Sequence, residues 1–269
     1  MVARALIALC RSAGDHVAAM SRGDLDITRR DAVFGILRRG DFGAVINCAA
    51  YTDVDRAESE PDKCFAVNAV GVANLAAATA ESGSAFVTIS TDYVFDGEKE
   101  GFYTQDDLPN PLGLYARSKL EGERLAEASN PGSVIVRSGW IYGEGGTNFL
   151  SVMKDLLADG SPIKAIDDSY GTPTYAVDLS VRLRELAEKN EPGIYHVVNS
   201  GTGTSYFGFA EMICEKGGFD KGLIERVSSE DLERPAPRPR NSRLACLCSD
   251  RLGLLPMPDW EEAVGRFVG

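Results

Sequence analysis

The chain has 269 residues, 44% hydrophobic and 25% charged, enough to bury the core of one large α/β domain or of a domain with a smaller companion. Its 40 acidic and 28 basic side chains give a net charge of −12, and without a domain-scale basic surplus a nucleic-acid-binding role is excluded. Six cysteines form no CxxC pair and no zinc-like cluster with His16 or His196, so the chain reads as a reduced, cytoplasmic protein without a metal. No apolar run approaches the ~20 residues of a membrane span, and "ALIALC" is too short for a signal peptide.

The opening "MVARALIALCRSAG" has a helical pattern and leads into "HVAAM", the first of five apolar, strand-like runs. "MSRGDLDIT" follows, and Ser21 and Arg22 stand where an arginine accommodates a 2′-phosphate; the alternative for Arg22 is a solvated loop charge. After the helical "DITRRDAVFGILRRG", the strand "AVINCAA" ends in Ala49 and Ala50, small enough to let a flat cofactor approach the backbone. The long helical stretch "PDKCFAVNAVGVANLAAATAESG" leads to "AFVTIST", which delivers Ser90, Thr91 and Asp92 to the same rim.

In "YARSK", Tyr115 and Lys119 sit four residues apart at the start of a helix, on one face. A free phenol, with a pKa near ~10, is a poor proton donor at neutral pH, and a lysine charge beside it would make it a better one. An ordinary exposed pair is the alternative. Next come the strand "SVIVRSGWIYG", then "YAVDLSVRLRELAEKN" and "YHVVN". Strands alternating with helices and lacking strict period-2 polarity predict a Rossmann-like, doubly wound parallel α/β sheet with both faces covered. Beyond about residue 143 the pattern loosens into Gly/Pro-rich joints, predicting a smaller C-terminal substrate-binding region. The loop "RPAPRPRNSR" reads equally as a solvated Pro-rich segment or as a clamp for a phosphate-bearing ligand.

Taken in order, "LDIT", "CAAYTDVDRAESEP", "STDYVFDG", "YTQDDLPNPLGLYARSKLEGE", "VRSGWIYG", "YGTPTYAVDLS" and "RPRNSRL" resemble the landmarks of the dTDP-4-dehydrorhamnose reductase family, within the extended short-chain dehydrogenase/reductase superfamily. The resemblance covers nearly the whole chain. It implies NADPH, with NADH as second choice, and reduction of dTDP-4-dehydro-β-L-rhamnose in nucleotide-sugar biosynthesis. It also implies Tyr115 as proton donor, Lys119 beside it lowering the phenol's pKa and holding the cofactor ribose, and Thr91 on the reacting oxygen. Asp92 and Trp140 would contact the sugar nucleotide, and Arg238 and Arg240 its diphosphate. Ser21, Arg22, Asp26, Ile27, Ala49, Ala50, Tyr51 and Thr52 would line the cofactor. The corresponding division gives residues 1–143 and 171–198 to dinucleotide binding and residues 144–170 and 199–269 to the substrate.

Other expectations are open. A non-catalytic subunit, like the regulatory subunit of methionine adenosyltransferase, and another nucleotide-sugar reductase or epimerase are the alternatives. The family leaves room for a homodimer. Relatives open with a strand and a glycine-rich turn, whereas this chain begins inside the helix that follows; a start placed at an internal methionine, or a shortened chain, is the favoured explanation over a real loss that would leave the chain unable to hold a dinucleotide in the usual way. Ala5 falls where some relatives bind magnesium, so no metal is expected there, and Ala116 and Ala245 replace a frequent glycine and aspartate.

Overall fold

The computed structural model describes residues 1–269 except the side chain of residue 250. In chain order the elements are α1 (Val2–Ser12), α2 (Arg30–Leu37), β1 (Ala44–Asn47), α3 (Val54–Ala57), α4 (Pro61–Phe65), a π-helical segment (Ala66–Gly71) and α5 (Val72–Ser82). There follow β2 (Ala85–Thr91), α6 (Leu114–Ser129), β3 (Ser133–Ser138), β4 (Ile141–Tyr142), α7 (Phe149–Ala158), β5 (Ile163–Ile166), β6 (Tyr170–Gly171) and β7 (Thr174–Tyr175). The chain ends with α8 (Ala176–Lys189), β8 (Gly193–His196), β9 (Thr204–Ser205), α9 (Tyr206–Gly217), β10 (Ile224–Val227) and α10 (Trp260–Val268).

The main sheet runs β1-β2-β3-β8, all parallel, as the continuous apolar runs predict. Successive side chains point to opposite faces, so β2 and β3 feed two cores. Val87, Val134 and Val136 pack with Leu6 of α1 and Leu179, Leu183 and Leu186 of α8. Phe86 and Ile135 pack with Val33 and Phe34 of α2 and Leu75 and Ala76 of α5. A separate core of Tyr142, Met153, Phe209, Trp260 and Phe267 holds the C-terminal elements together.

Helix starts follow local chemistry. The side chains of Asp53, Asn148, Ser205 and Asp259 accept backbone N–H groups at the starts of α3, α7, α9 and α10, and Pro61 occupies the first turn of α4, where its missing N–H is harmless.

The structure corrects two expectations. Residues 16–20, the "HVAAM" run, form no strand: a strand persists only when its backbone groups find a neighbouring ladder, and β1 pairs with β2 alone among the described residues. The stretch Pro61–Ser82 is long and apolar enough to cross a membrane by length and composition; it is a flanking helix whose apolar residues, Val72, Leu75 and Ala76 among them, pack on the sheet.

Candidate active site

Parallel strands bring their carboxyl ends to one rim, so the loops after β1, β2 and β3 meet there, as expected for "CAAYTD", "STDYVF" and "GWIYGE". The start of α1 joins them, with Met1's amino group near Cys48 and its thioether accepting from Ser151 Oγ at 3.5 Å. In register, Thr91 of β2 lies beside Ser138 of β3. Thr91 caps the short turn Asp92–Val94, its Oγ1 accepting from Tyr93 N at 3.2 Å and donating to Asp92 Oδ1 at 3.1 Å.

Helix α6 starts under Glu58, whose carboxylate accepts the Leu114 N–H at 2.8 Å. This contact from "AESEP" fixes the helix that carries Tyr115 and Lys119. The Tyr115 ring is half-buried, edge-on to Tyr93 at 6.3 Å between centroids. Burial pushes its pKa well above the usual phenol value, while the neighbouring Thr91 hydroxyl pulls the other way. Lys119 is 5% exposed, and its Nζ donates to the Ile89 carbonyl at 2.6 Å. Burial lowers the ammonium to about 8, opposed by the Glu123 carboxylate. The mutual i,i+4 lowering of the tyrosine expected from the sequence is therefore absent from this geometry: the backbone carbonyl of β2 holds the ammonium, and desolvation dominates the phenol.

Asp92 is 3% exposed, with Oδ2 lacking a hydrogen-bond partner; burial raises its pKa to about 6. Gly139 makes room for it, since a Cβ there would lie 2.1 Å from the Asp92 carboxyl carbon. Because the folded pKa lies above that of the unfolded chain, near 3.8, the native state holds more protons than the unfolded state between about pH 4 and 6. Stability therefore falls as pH rises through that window. Asp92→Asn, of the same shape, is expected to remove that loss and gain stability at pH 7, with about 3 kcal/mol as an upper figure. Thermal melts of both chains from pH 4 to 7 check this, and parallel curves would contradict it.

A cleft of about 740 Å³, including its open mouth, adjoins Tyr115 through Tyr93 and Pro239 and is lined by Trp140, Tyr206, Arg234, Arg238 and Arg240. Trp140 adopts φ +50°, rare for a large side chain. One indole face stacks on Tyr206, 4.0 Å between centroids, and Gly171 lies so close that a Cβ would sit 2.1 Å from the ring. Trp140, at 9% exposure, is thus a wall of the cleft.

The arginine loop divides its labour. Arg238 forms a two-pronged pair with Asp55 on α3, at 2.9 and 2.7 Å, and holds that carboxyl below its usual pKa. Arg240 pairs with exposed Glu230 at 3.1 Å. Arg234, one of the arginines of that loop but not among the expected diphosphate ligands, lines the cleft beside Tyr93 and Tyr206 with no ion-pair partner among the described residues. The only sequence signal for Arg234 was its place at the head of the Pro-rich loop.

The expected cofactor residues fall into two groups. Asn68 accepts the Tyr51 N–H at 2.8 Å and donates to the Tyr51 carbonyl at 3.0 Å, fixing the turn after β1 that contains Ala49, Ala50, Tyr51 and Thr52. Farther along the fold, Ser21 donates to Asp24 through its N–H and hydroxyl, Arg22 is exposed, and Asp26 accepts from the Thr28 N–H and hydroxyl at 3.0 and 2.7 Å. Ile27 is a core residue against Gly71. No hydrogen bond or ion pair joins this second group to the Tyr115 site among the described residues.

Residues 1–269 match the family described as the RmlD substrate binding domain. The dTDP-4-dehydrorhamnose reductase of Mycolicibacterium smegmatis is 40% identical, over 100% of this chain and 82% of that protein. The solved dTDP-4-dehydrorhamnose reductase of Bacillus anthracis, in complex with NADP, superposes with a TM-score of 0.94 at 34% identity, covering 99% of this chain and 94% of that one. Thermus thermophilus UDP-glucose 4-epimerase shares the fold, with a TM-score of 0.82 at 20% identity over 100% of this chain and 94% of its own. The chain therefore belongs to the RmlD substrate-binding-domain family, with dTDP-4-dehydrorhamnose reductases among its relatives.

Proposed function

We propose that this chain is an NADPH-dependent oxidoreductase that reduces the C4 ketone of dTDP-4-dehydro-β-L-rhamnose, giving dTDP-β-L-rhamnose in a cytoplasmic step of nucleotide-sugar biosynthesis. The observation that carries the reading is the Tyr115 phenol, set beside Thr91 where β2 ends and opening toward the aromatic and arginine-lined cleft. NADP in the 34%-identical Bacillus anthracis relative supports the cofactor. The residues here suit its nicotinamide end: Tyr115 and Lys119 share one face of α6, and buried Ser138 Oγ and Asp92 Oδ2 lack partners at the neighbouring strand ends. When bound, the cofactor supplies hydride.

The protein's own groups do the rest. Thr91 hydrogen-bonds the ketone oxygen and orients it toward Tyr115. As that oxygen gains negative charge it becomes a stronger base than a phenolate, so the buried phenol, protonated at neutral pH, gives up its proton to it. Lys119 keeps a positive charge under the site and holds the ribose. Tyr93, Trp140 and Tyr206 exclude water around the sugar, and Asp92 accepts a sugar hydroxyl.

Arg234, unpaired in the cleft, meets the diphosphate, whereas Arg238 is committed to Asp55 and Arg240 to an exposed pair. Residues 144–170 and 199–269 are given to the substrate and residues 1–143 and 171–198 to the cofactor; the C-terminal core of Met153, Phe209, Trp260 and Phe267 supports the first part, and Trp140, Tyr142 and Tyr175 of the second pack into that same core. Arg234→Ala is expected to raise KM for the nucleotide sugar about 10- to 100-fold with kcat nearly unchanged, as loss of a charged hydrogen bond would do. Arg240→Ala should raise it less. Steady-state NADPH oxidation reads both, and an unchanged KM in Arg234→Ala would remove Arg234 from the site.

A further inference from the structure

Beneath Lys119 lies a buried ionic knot that the reaction scheme above does not use. Glu123, one turn further along α6, is 3% exposed. Its carboxylate accepts from Arg137 Nη2 at 2.7 Å and from Arg137 Nε at 3.0 and 3.2 Å, and Ser90 Oγ donates to the same group. Arg137 itself is 3% exposed. Ser90 and Arg137 are register partners on β2 and β3, so the knot pins the catalytic helix to both central strands. Ser90 also directly follows Ile89, whose carbonyl seats Lys119.

We propose that Glu123, clamped by Arg137 and Ser90, is a positioning residue that keeps the buried Lys119 ammonium charged and seated on the Ile89 carbonyl. A buried ion pair of this kind is weak evidence for stability, because desolvation offsets much of the attraction. A role in holding charge is a reason for it to be there. The groups whose charge bears on Lys119 are Glu123, one turn along its own helix, and Cys64 on α4. Arg137 pairs with Glu123, and with burial it helps hold the imidazole of His196 on β8 neutral. Glu123 is thus the carboxylate that acts on Lys119. With Gln at position 123, the ammonium would lose its anion while the Arg137 cation stayed buried nearby, and both changes favour the neutral amine.

The inference rests on the reading of Lys119 as part of the reductase site, but its test does not depend on turnover. In the ligand-free chain, lysine labelled with ¹³C at Cε is titrated by NMR, with Lys119→Gln identifying the resonance. Lys119 should titrate near about 8 in the parent chain. In Glu123→Gln it should move down by about 1–3 units, as expected on losing an opposite charge at close range. The alkaline limb of NADPH oxidation should move down with it, because activity requires the protonated ammonium and is lost as pH rises through its pKa. Should the unpaired arginine prevent folding, Glu123→Gln combined with Arg137→Met removes both charges, and a smaller downward shift is expected. A folded variant in which Lys119 titrates as in the parent would overturn the proposal and leave Glu123 as scaffold. A parent chain with the expected titration but no reductase activity would instead overturn the function proposed above.

Discussion

Tyr115→Phe is expected to lower kcat about 10²- to 10⁴-fold, the usual contribution of a positioned general acid, with KM for the nucleotide sugar changed little. The substitution removes one oxygen from a half-buried ring, so the fold should lose no more than about 1 kcal/mol. No neighbour can replace the lost donor. Asp92, raised to about 6, is largely ionised at pH 7. Lys119 donates to Ile89, and Tyr93 lies edge-on with its ring centre 6.3 Å from that of Tyr115. Single-turnover NADPH oxidation separates this effect from binding. A variant as fast as the parent chain would mean that the proton comes from elsewhere.

Gly122→Ala should be destabilising, although alanine is the better helix former by roughly 1 kcal/mol at an ordinary exposed position. A Cβ at residue 122 would lie 2.1 Å from the Asn68 carbonyl oxygen, a backbone atom of the π-helical segment that crosses α6 there. Neither backbone can yield alone. Asn68 holds both backbone groups of Tyr51 and donates to Ser118 Oγ at 3.0 Å, so a displaced segment drags the turn after β1 and the catalytic helix with it. Overpacking of this kind costs about 1–3 kcal/mol, a fall of several degrees in Tm for a chain of this size, and NADPH binding should weaken in parallel. Calorimetry and cofactor titration read the two effects. A higher Tm would show that the crossing is looser than the structure indicates.

The parallel sheet was legible because continuous apolar runs such as "AFVTIST" read as strands buried on both faces when helical runs separate them. "HVAAM" has the same composition, but composition does not supply the hydrogen-bonded neighbour a strand needs. The π-helical segment at Ala66–Gly71 was invisible because one extra residue in a long apolar helix barely disturbs its periodicity. Within the site, the spacing of Tyr115 and Lys119 put them on one face. It could not say that the Ile89 carbonyl would take the ammonium, since that contact is set by packing across 30 residues. The arginines show the same limit. Arg238 was as good a phosphate ligand as any by sequence, and its partner, Asp55, stands 183 positions away. Glu123 and Arg137 lay unread in the strand and helix patterns because nothing local marks a buried ion pair.

The account stands on a phenol that protonates a sugar oxygen while hydride reaches the same carbon. Its most direct test supplies the 4-keto nucleotide sugar with NADPH carrying deuterium at the transferable C4 position, followed by NMR of the recovered sugar. The account predicts one deuterium at sugar C4 for each NADPH consumed, with dTDP-rhamnose as the product. Cofactor oxidation without label in the sugar, or no oxidation while the purified chain co-elutes with a separate enzyme, would contradict it.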